Sequence, residues 1–144
     1  MDIAFEGKQL EAPDIWSLWF SKPAALAFEP GDYVELAVPG VGHRWLTIAS
    51  APSEPKLQFT TKLFGSNFKQ ALAGLVPGDK VMISPALGSF NLPSDRDSKL
   101  TLVAGGLGVT PYRSFLVQMN NQKIRFKSDL NLISVQCGTI TYLH

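Results

Sequence analysis

Cysteine is nearly absent from this chain: Cys137 is the only one among 144 residues. One thiol excludes an internal disulfide and any zinc site built on cysteines, and it suits a reducing compartment. Histidine is almost as scarce. His43 and His144 stand far apart, so no cluster with metal-ligand spacing exists and no metal site is expected. Neither charge sign is in excess, with 13 basic against 12 acidic side chains and a net charge of +1. The electrostatic footprint of a nucleic-acid or anionic-membrane partner is therefore missing, while a specific anionic ligand stays open. There is no apolar run of membrane-spanning length, no secretory signal pattern and no repeat, so the expectation is a cytoplasmic protein that does not insert into a membrane. What the chain does have is 45% hydrophobic residues, enough to bury one proper core and part of a second.

The most organised stretch is residues 100–113, Leu-Thr-Leu-Val-Ala-Gly-Gly-Leu-Gly-Val-Thr-Pro-Tyr-Arg. Its apolar, β-branched start predicts a buried strand over 100–104, and Gly105, Gly106 and Gly108 allow a sharp turn. A helix should follow, with Thr110 as N-cap, Pro111 in the first helical position, and Ser114, Phe115, Leu116 and Met119 continuing the period. Strand, glycine turn and helix form an architecture that handles phosphate. The glycines admit a pyrophosphate to the backbone, and the helix start offers free N–H groups. A tight strand-to-helix turn that binds nothing fits the same local pattern.

The first ninety residues read as β-rich. Strands are expected over 3–10, over the period-two stretch Trp16, Leu18 and Phe20, and over 33–38, 44–49, 57–63 and 80–84. Turns are marked by Pro30-Gly31-Asp32, by residues 39–42 and by Pro77-Gly78-Asp79. A short helix carrying Phe68, Leu72 and Leu75 interrupts behind Gly65-Ser66-Asn67. Strands at roughly ten-residue intervals indicate an antiparallel barrel or sandwich. Residues 93–99 are polar and poor in helix formers, and a domain boundary is expected there.

With these motifs in this order, the chain resembles the ferredoxin–NAD(P)H reductase superfamily, over the span from the first strand to Phe115. Phe28-Glu29-Pro30-Gly31-Asp32-Tyr33-Val34 is similar to the family's opening barrel turn, and Arg44-Trp45-Leu46-Thr47-Ile48-Ala49-Ser50 to its Arg-x-Tyr-Ser/Thr flavin motif. Val103-Ala104-Gly105-Gly106-Leu107-Gly108-Val109-Thr110-Pro111 is similar to its nucleotide motif, and Lys62-Leu63-Phe64-Gly65-Ser66-Asn67 to its second phosphate element. Ser84-Pro85-Ala86-Leu87-Gly88-Ser89-Phe90 departs from a family turn, with Pro-Ala where Gly-Pro is usual. The resemblance implies a six-stranded antiparallel Greek-key barrel that binds FAD over residues 1–95, followed by a partial Rossmann-like α/β unit for NAD(P) over 99–144.

It also implies roles. Arg44 would neutralise the flavin pyrophosphate, and Thr47 would be the catalytic residue, its hydroxyl placed at the flavin nitrogen that accepts hydride. Lys62, Gly65, Ser66 and Asn67 would serve the second phosphate element, although Ser66 and Asn67 equally suit a plain N-cap. Gly105, Gly106, Gly108 and Thr110 would hold the dinucleotide. Leu46 stands where the family has an aromatic against the flavin ring, so it could offer apolar cover only. Trp45 is expected on the opposite face, as core or barrel cover.

His43, with no carboxylate–serine pair beside it, and Asp95 and Asp97 around Arg96 read as solvated charge. Cys137-Gly138 sits too close to the glycine turn to act as the family's nicotinamide motif. The residues after Pro111 suffice for one helix and one strand, over 130–135, which implies a truncated nucleotide sheet. The implied function is an FAD-dependent oxidoreductase in which NAD(P)H reduces FAD by hydride transfer and electrons pass to a protein or small-molecule acceptor. The alternative is a non-catalytic flavin- or nucleotide-binding module, or a remnant acting through a partner.

Overall fold

The computed structural model describes residues 1–95, 97, 100–124, 131–136 and 139–143. The expectations on Arg96, Cys137, Gly138 and His144 fall outside these residues.

Six strands form one antiparallel sheet: β1 (Asp2–Ala12), β2 (Ile15–Ser21), β3 (Tyr33–Val38), β4 (Gly42–Thr47), β5 (Lys56–Lys62) and β6 (Lys80–Ile83), in the order β4-β3-β6-β1-β2-β5. The two edge strands meet where the chain leaving β4 returns to β5, Ala49 N–H donating to Gln58 O at 2.8 Å. That contact joins the ends of the sheet into the six-stranded antiparallel barrel that the motifs imply. Alternation then decides what lies inside. Val34, Leu36 and Val38 from β3, Leu57, Phe59 and Thr61 from β5, and Val81 and Ile83 from β6 are all buried. Phe5, Phe20 and Phe59 run through the core edge-to-face, with centroids 5.4 and 5.8 Å apart. Helix α1 (Asn67–Gly74) adds Phe68 and Leu72 to this core.

The two Pro-Gly-Asp turns use one device. Asp32 accepts from the Glu29 N–H and Asp79 from the Val76 N–H, each at 2.9 Å, so each aspartate caps its own bend. Gly31 and Gly78 take φ of +95° and +100°, a region that side chains resist. Gly31 has a second reason to be glycine. A methyl group there would run into the carbonyl oxygen of Phe90 and stand 3.0 Å from Phe115 Cζ.

The remaining strands form a separate three-stranded sheet. β7 (Thr101–Gly105) pairs in parallel with β8 (Asn131–Gln136), and β9 (Thr139–Leu143) returns antiparallel to β8. β9 is not foreseen in the sequence. Helix α2 (Thr110–Asn121) lies between β7 and β8 in the chain. The buried strand expected at β7 is buried on one face only: Leu102 and Ala104 are covered, whereas Val103 is 56% exposed. Among the described residues no helix is long and apolar enough to cross a membrane, and no cluster of metal-ligating side chains occurs.

Candidate functional site

The flavin motif lies on β4, and the structure settles which way its side chains face. Trp45 is 54% exposed and stands edge-on to Tyr33, with centroids 5.4 Å apart. With Thr47 these two rings line an open concavity of about 500 Å³. Leu46 turns the other way and rests on the barrel core. The expectation for these neighbours is therefore corrected. Trp45 is neither core nor cover and shares the outer face with Thr47, while Leu46 is occupied with the core. A period of two says that the two residues oppose each other but not which of them meets the core.

Arg44 leans over the Phe68 ring at 5.7 Å and donates to the carbonyl of its neighbour His43 at 2.7 Å. It stays exposed. Phe68 belongs to the first turn of α1, so Arg44 and the 65–67 segment come to one side of the barrel. Gly65 has φ of +97°, and Ser66 is the N-cap, its hydroxyl accepting from the Lys69 N–H at 3.3 Å. The capping reading of Ser66 thus has its hydrogen bond. Asn67 and Lys62 remain exposed, Lys62 lying over the Phe64 ring at 5.8 Å. His43 does meet a carboxylate, Glu35 at 3.4 Å across the β3–β4 pair.

At the glycine turn a 3-10 segment, Gly106–Val109, stands between β7 and α2. This overturns the capping role expected of Thr110. Val109 is the cap, Thr110 is already helical, and its hydroxyl donates backward to Leu107 O at 2.5 Å. Gly106 has φ of +52°. A Cβ at Gly106 or Gly108 would meet nothing within 4 Å, so the turn presents bare backbone to open space.

Helix α2 is fastened to the segment that leaves β4. Arg113 forms a two-pronged ion pair with Glu54 at 2.8 and 3.0 Å and also donates to Ala49 O at 2.8 Å. Ser114 donates to Ser50 O at 2.7 Å, Asn121 to Ser53 Oγ at 2.9 Å, and the Ser53 N–H to Gln118 Oε1 at 3.2 Å. The Arg113 hydrogen bond holds the Glu54 carboxyl below its ordinary value against the opposing effect of partial burial, with the Ala51 N–H adding to the lowering.

Beneath this fastening lies a cavity of about 300 Å³ between the outer wall of the barrel and the glycine turn. Gly106 and Thr110 are the only expected site residues that line it. The barrel side is supplied by Ser17, Ala49, Gln58 and Thr60, and Arg113 lies at the helix side. Sequence reasoning misses Ser17, Gln58 and Thr60; their signal is the polar alternation Gln58, Thr60, Lys62 in β5. The carbonyl oxygen Oε1 of Gln58 is buried within this wall and has no hydrogen-bond partner. This wall stands opposite the bare backbone of the glycine turn.

No protein-family model matches the chain. The reductase component of propane 2-monooxygenase from Mycolicibacterium goodii is 32% identical over 103 residues, covering 69% of this chain and 30% of that protein. Among solved structures, phthalate dioxygenase reductase superposes with a TM-score of 0.77 at 25% identity, covering 94% of this chain and 43% of that one. A ferredoxin NADP+ reductase from Neisseria gonorrhoeae with bound FAD and NADP superposes with a TM-score of 0.75 at 20% identity, covering 90% and 55%. The chain spans about a third of the length of the curated relatives it matches. Barrel, glycine turn and fastened helix, with these likenesses, lead to one conclusion: the chain belongs to the ferredoxin–NAD(P)H reductase superfamily.

Proposed function

We propose that this chain is the flavin-reducing part of an NAD(P)H-dependent oxidoreductase, in which FAD on the barrel accepts a hydride from NAD(P)H at the glycine turn and electrons pass to an acceptor. The observation that carries this reading is the cavity in which barrel wall and glycine turn face each other, because hydride transfer needs two rings brought into contact. The division of labour follows the chain, residues 1–95 serving FAD and 99–144 serving the nucleotide, in a cytoplasmic setting. The relatives named above are reductases of a monooxygenase and of phthalate dioxygenase, so an oxygenase component or an iron–sulfur protein is the acceptor class we favour.

Bound flavin supplies the hydride-accepting ring, a chemistry no side chain offers. The chain's own residues bind and orient. Arg44, exposed beside α1, is free to form charge-assisted bonds to a pyrophosphate. The backbone at Gly65, Ser66 and Asn67 adds N–H groups, and Lys62 adds a nearby cation. Thr47 lies beside Tyr33 and Trp45 on the outer face, and its hydroxyl is the group we assign to a ring nitrogen. Gly105, Gly106 and Gly108 let the second pyrophosphate approach the backbone, and Thr110 stiffens that turn through Leu107.

A purified chain that is yellow, and that bleaches on anaerobic addition of NADH or NADPH, bears this out. A colourless chain that takes up no added FAD sinks it. A second reading, a flavin-binding module that does not turn over, is favoured by the nucleotide sheet having three strands among the described residues. Its signature is reduction by dithionite with no response to millimolar NADH or NADPH.

A further inference from the structure

We infer that Glu54 and Ser114 are positioning residues for hydride transfer: they lock α2 to the barrel, and the locked helix fixes how far the glycine turn stands from the barrel wall. This rests on the flavin–nucleotide reading of the cavity and goes beyond it by saying what sets the gap between the two rings.

The helix and the turn move as one piece. The 3-10 segment Gly106–Val109 runs without a break into α2, and the Thr110 hydroxyl ties the helix start back to Leu107 O. Arg113 and Ser114 follow within about one turn, so a helix held at these two residues also holds the segment before them.

The barrel side of the lock is stiff. Ala49, Ser50 and Ala51 are buried. The Ile48 N–H donates to Asp32 O at 2.9 Å, the Ala49 N–H to Gln58 O at 2.8 Å, and the Ala51 N–H to Glu54 Oε2 at 2.7 Å. Lys22, just past β2, donates to the carbonyls of Pro52 and Glu54. Onto this anchored segment α2 sends the Arg113 guanidinium and the fully buried Ser114 hydroxyl. Toward β7, among the described residues, it sends one side-chain hydrogen bond, from the Tyr112 hydroxyl to Val103 O at 3.1 Å. Mechanically, the helix belongs to the barrel more than to the strand that precedes it.

Geometry joins this lock to the cavity. Ala49 lines it from the barrel and Arg113 from the helix, and their hydrogen bond at 2.8 Å spans the two walls. Glu54 acts from outside the lining, by taking both prongs of the Arg113 guanidinium. In the proposed step a hydride leaves the reduced nicotinamide with two electrons and joins the oxidised flavin. What these residues control is distance and angle, and a misplacement of about 1 Å costs such a step about a hundredfold.

The test compares wild type with Glu54→Gln and Ser114→Ala. Gly78→Ala serves as the control, because it strains a left-handed turn whose N–H bonds to Phe5 and not to α2. In the ligand-free chain, hydrogen exchange of the amides over 106–113 should quicken in both lock variants, and exchange over β3 should not. In the flavin-loaded chain, the limiting rate of bleaching at saturating NADH or NADPH should fall about tenfold or more, while the affinities for FAD and for the dinucleotide hold. Gly78→Ala should lower the melting temperature and leave the limiting rate as it is, which separates position from stability. Unchanged exchange over 106–113, an unchanged limiting rate, or an equal slowing in Gly78→Ala overturns the inference and leaves the flavin reading standing. Should Ser114→Ala not fold, Glu54→Gln decides alone, since its ion pair keeps contact with water. A wild type that binds FAD but is bleached by neither dinucleotide removes hydride transfer and this inference with it.

Discussion

Arg113 on α2 and Glu54 in the β4–β5 connection are 59 residues apart in sequence and meet as a two-pronged ion pair at 2.8 and 3.0 Å. The pair lies where the barrel and α2 touch, and it holds the helix against the segment that leaves β4. Both side chains keep contact with water, so the pair is worth about 1 kcal/mol rather than the several of a buried one.

Glu54→Gln should accordingly lower the melting temperature by about 3 °C at neutral pH. Because the folded carboxyl sits below its ordinary value of 4.5, the stabilisation is complete above that value and is lost as pH falls through the lowered one. Melting curves of wild type and variant should converge in acid. A gap that persists unchanged to the lowest pH at which the chain stays folded argues against the ion pair as its cause.

Gly31→Ala should destabilise the chain by about 2–4 kcal/mol, through left-handed backbone and the collision with Phe90 together. The midpoint of urea unfolding reads this directly. Gly65→Ala, at similar φ but with open space around it, should cost roughly 1 kcal/mol.

Much of this architecture is legible in the chain, and the parts that are not share a reason. The 33–38 strand and both Pro-Gly-Asp turns follow from local alternation and local chemistry, which the sequence displays in full. The face of Trp45 is not legible, since only the finished barrel decides which phase of the strand is inside. The burial of Ser17 and Gln58 is not legible either, because nothing near them announces that a second unit will cover that wall. Thr110 misleads for a local cause. The 3-10 segment starts helical geometry four residues early and takes the cap position to Val109.

Arg44→Ala should weaken flavin binding by one to two decades, the loss of a charge-assisted phosphate bond worth roughly 1.5–3 kcal/mol. The fold should be untouched, since the Arg44 side chain is exposed and its partners are the face of the Phe68 ring and the carbonyl of its own neighbour His43. Unaltered FAD affinity in a folded variant removes Arg44 from the site.

Gly106→Val should abolish bleaching by NAD(P)H while flavin remains bound, because a branched side chain at φ of +52° reshapes the turn at a cost of about 1–2 kcal/mol. Stopped-flow absorbance separates the two effects. In a wild-type chain that turns over, bleaching should run at about 1 s⁻¹ or faster.

The fastening of α2 to residues 49–54 also bears on how the chain emerges from a ribosome. When β5 is complete, the carbonyls of Ala49 and Ser50 still lack the arginine and serine that will cover them, 64 residues downstream. A nascent barrel is therefore finished by a helix that is synthesised only after all six of its strands. Cutting the gene between barrel and α2 would yield a fragment in which the Ala49 and Ser50 carbonyls lose the side chains that satisfy them.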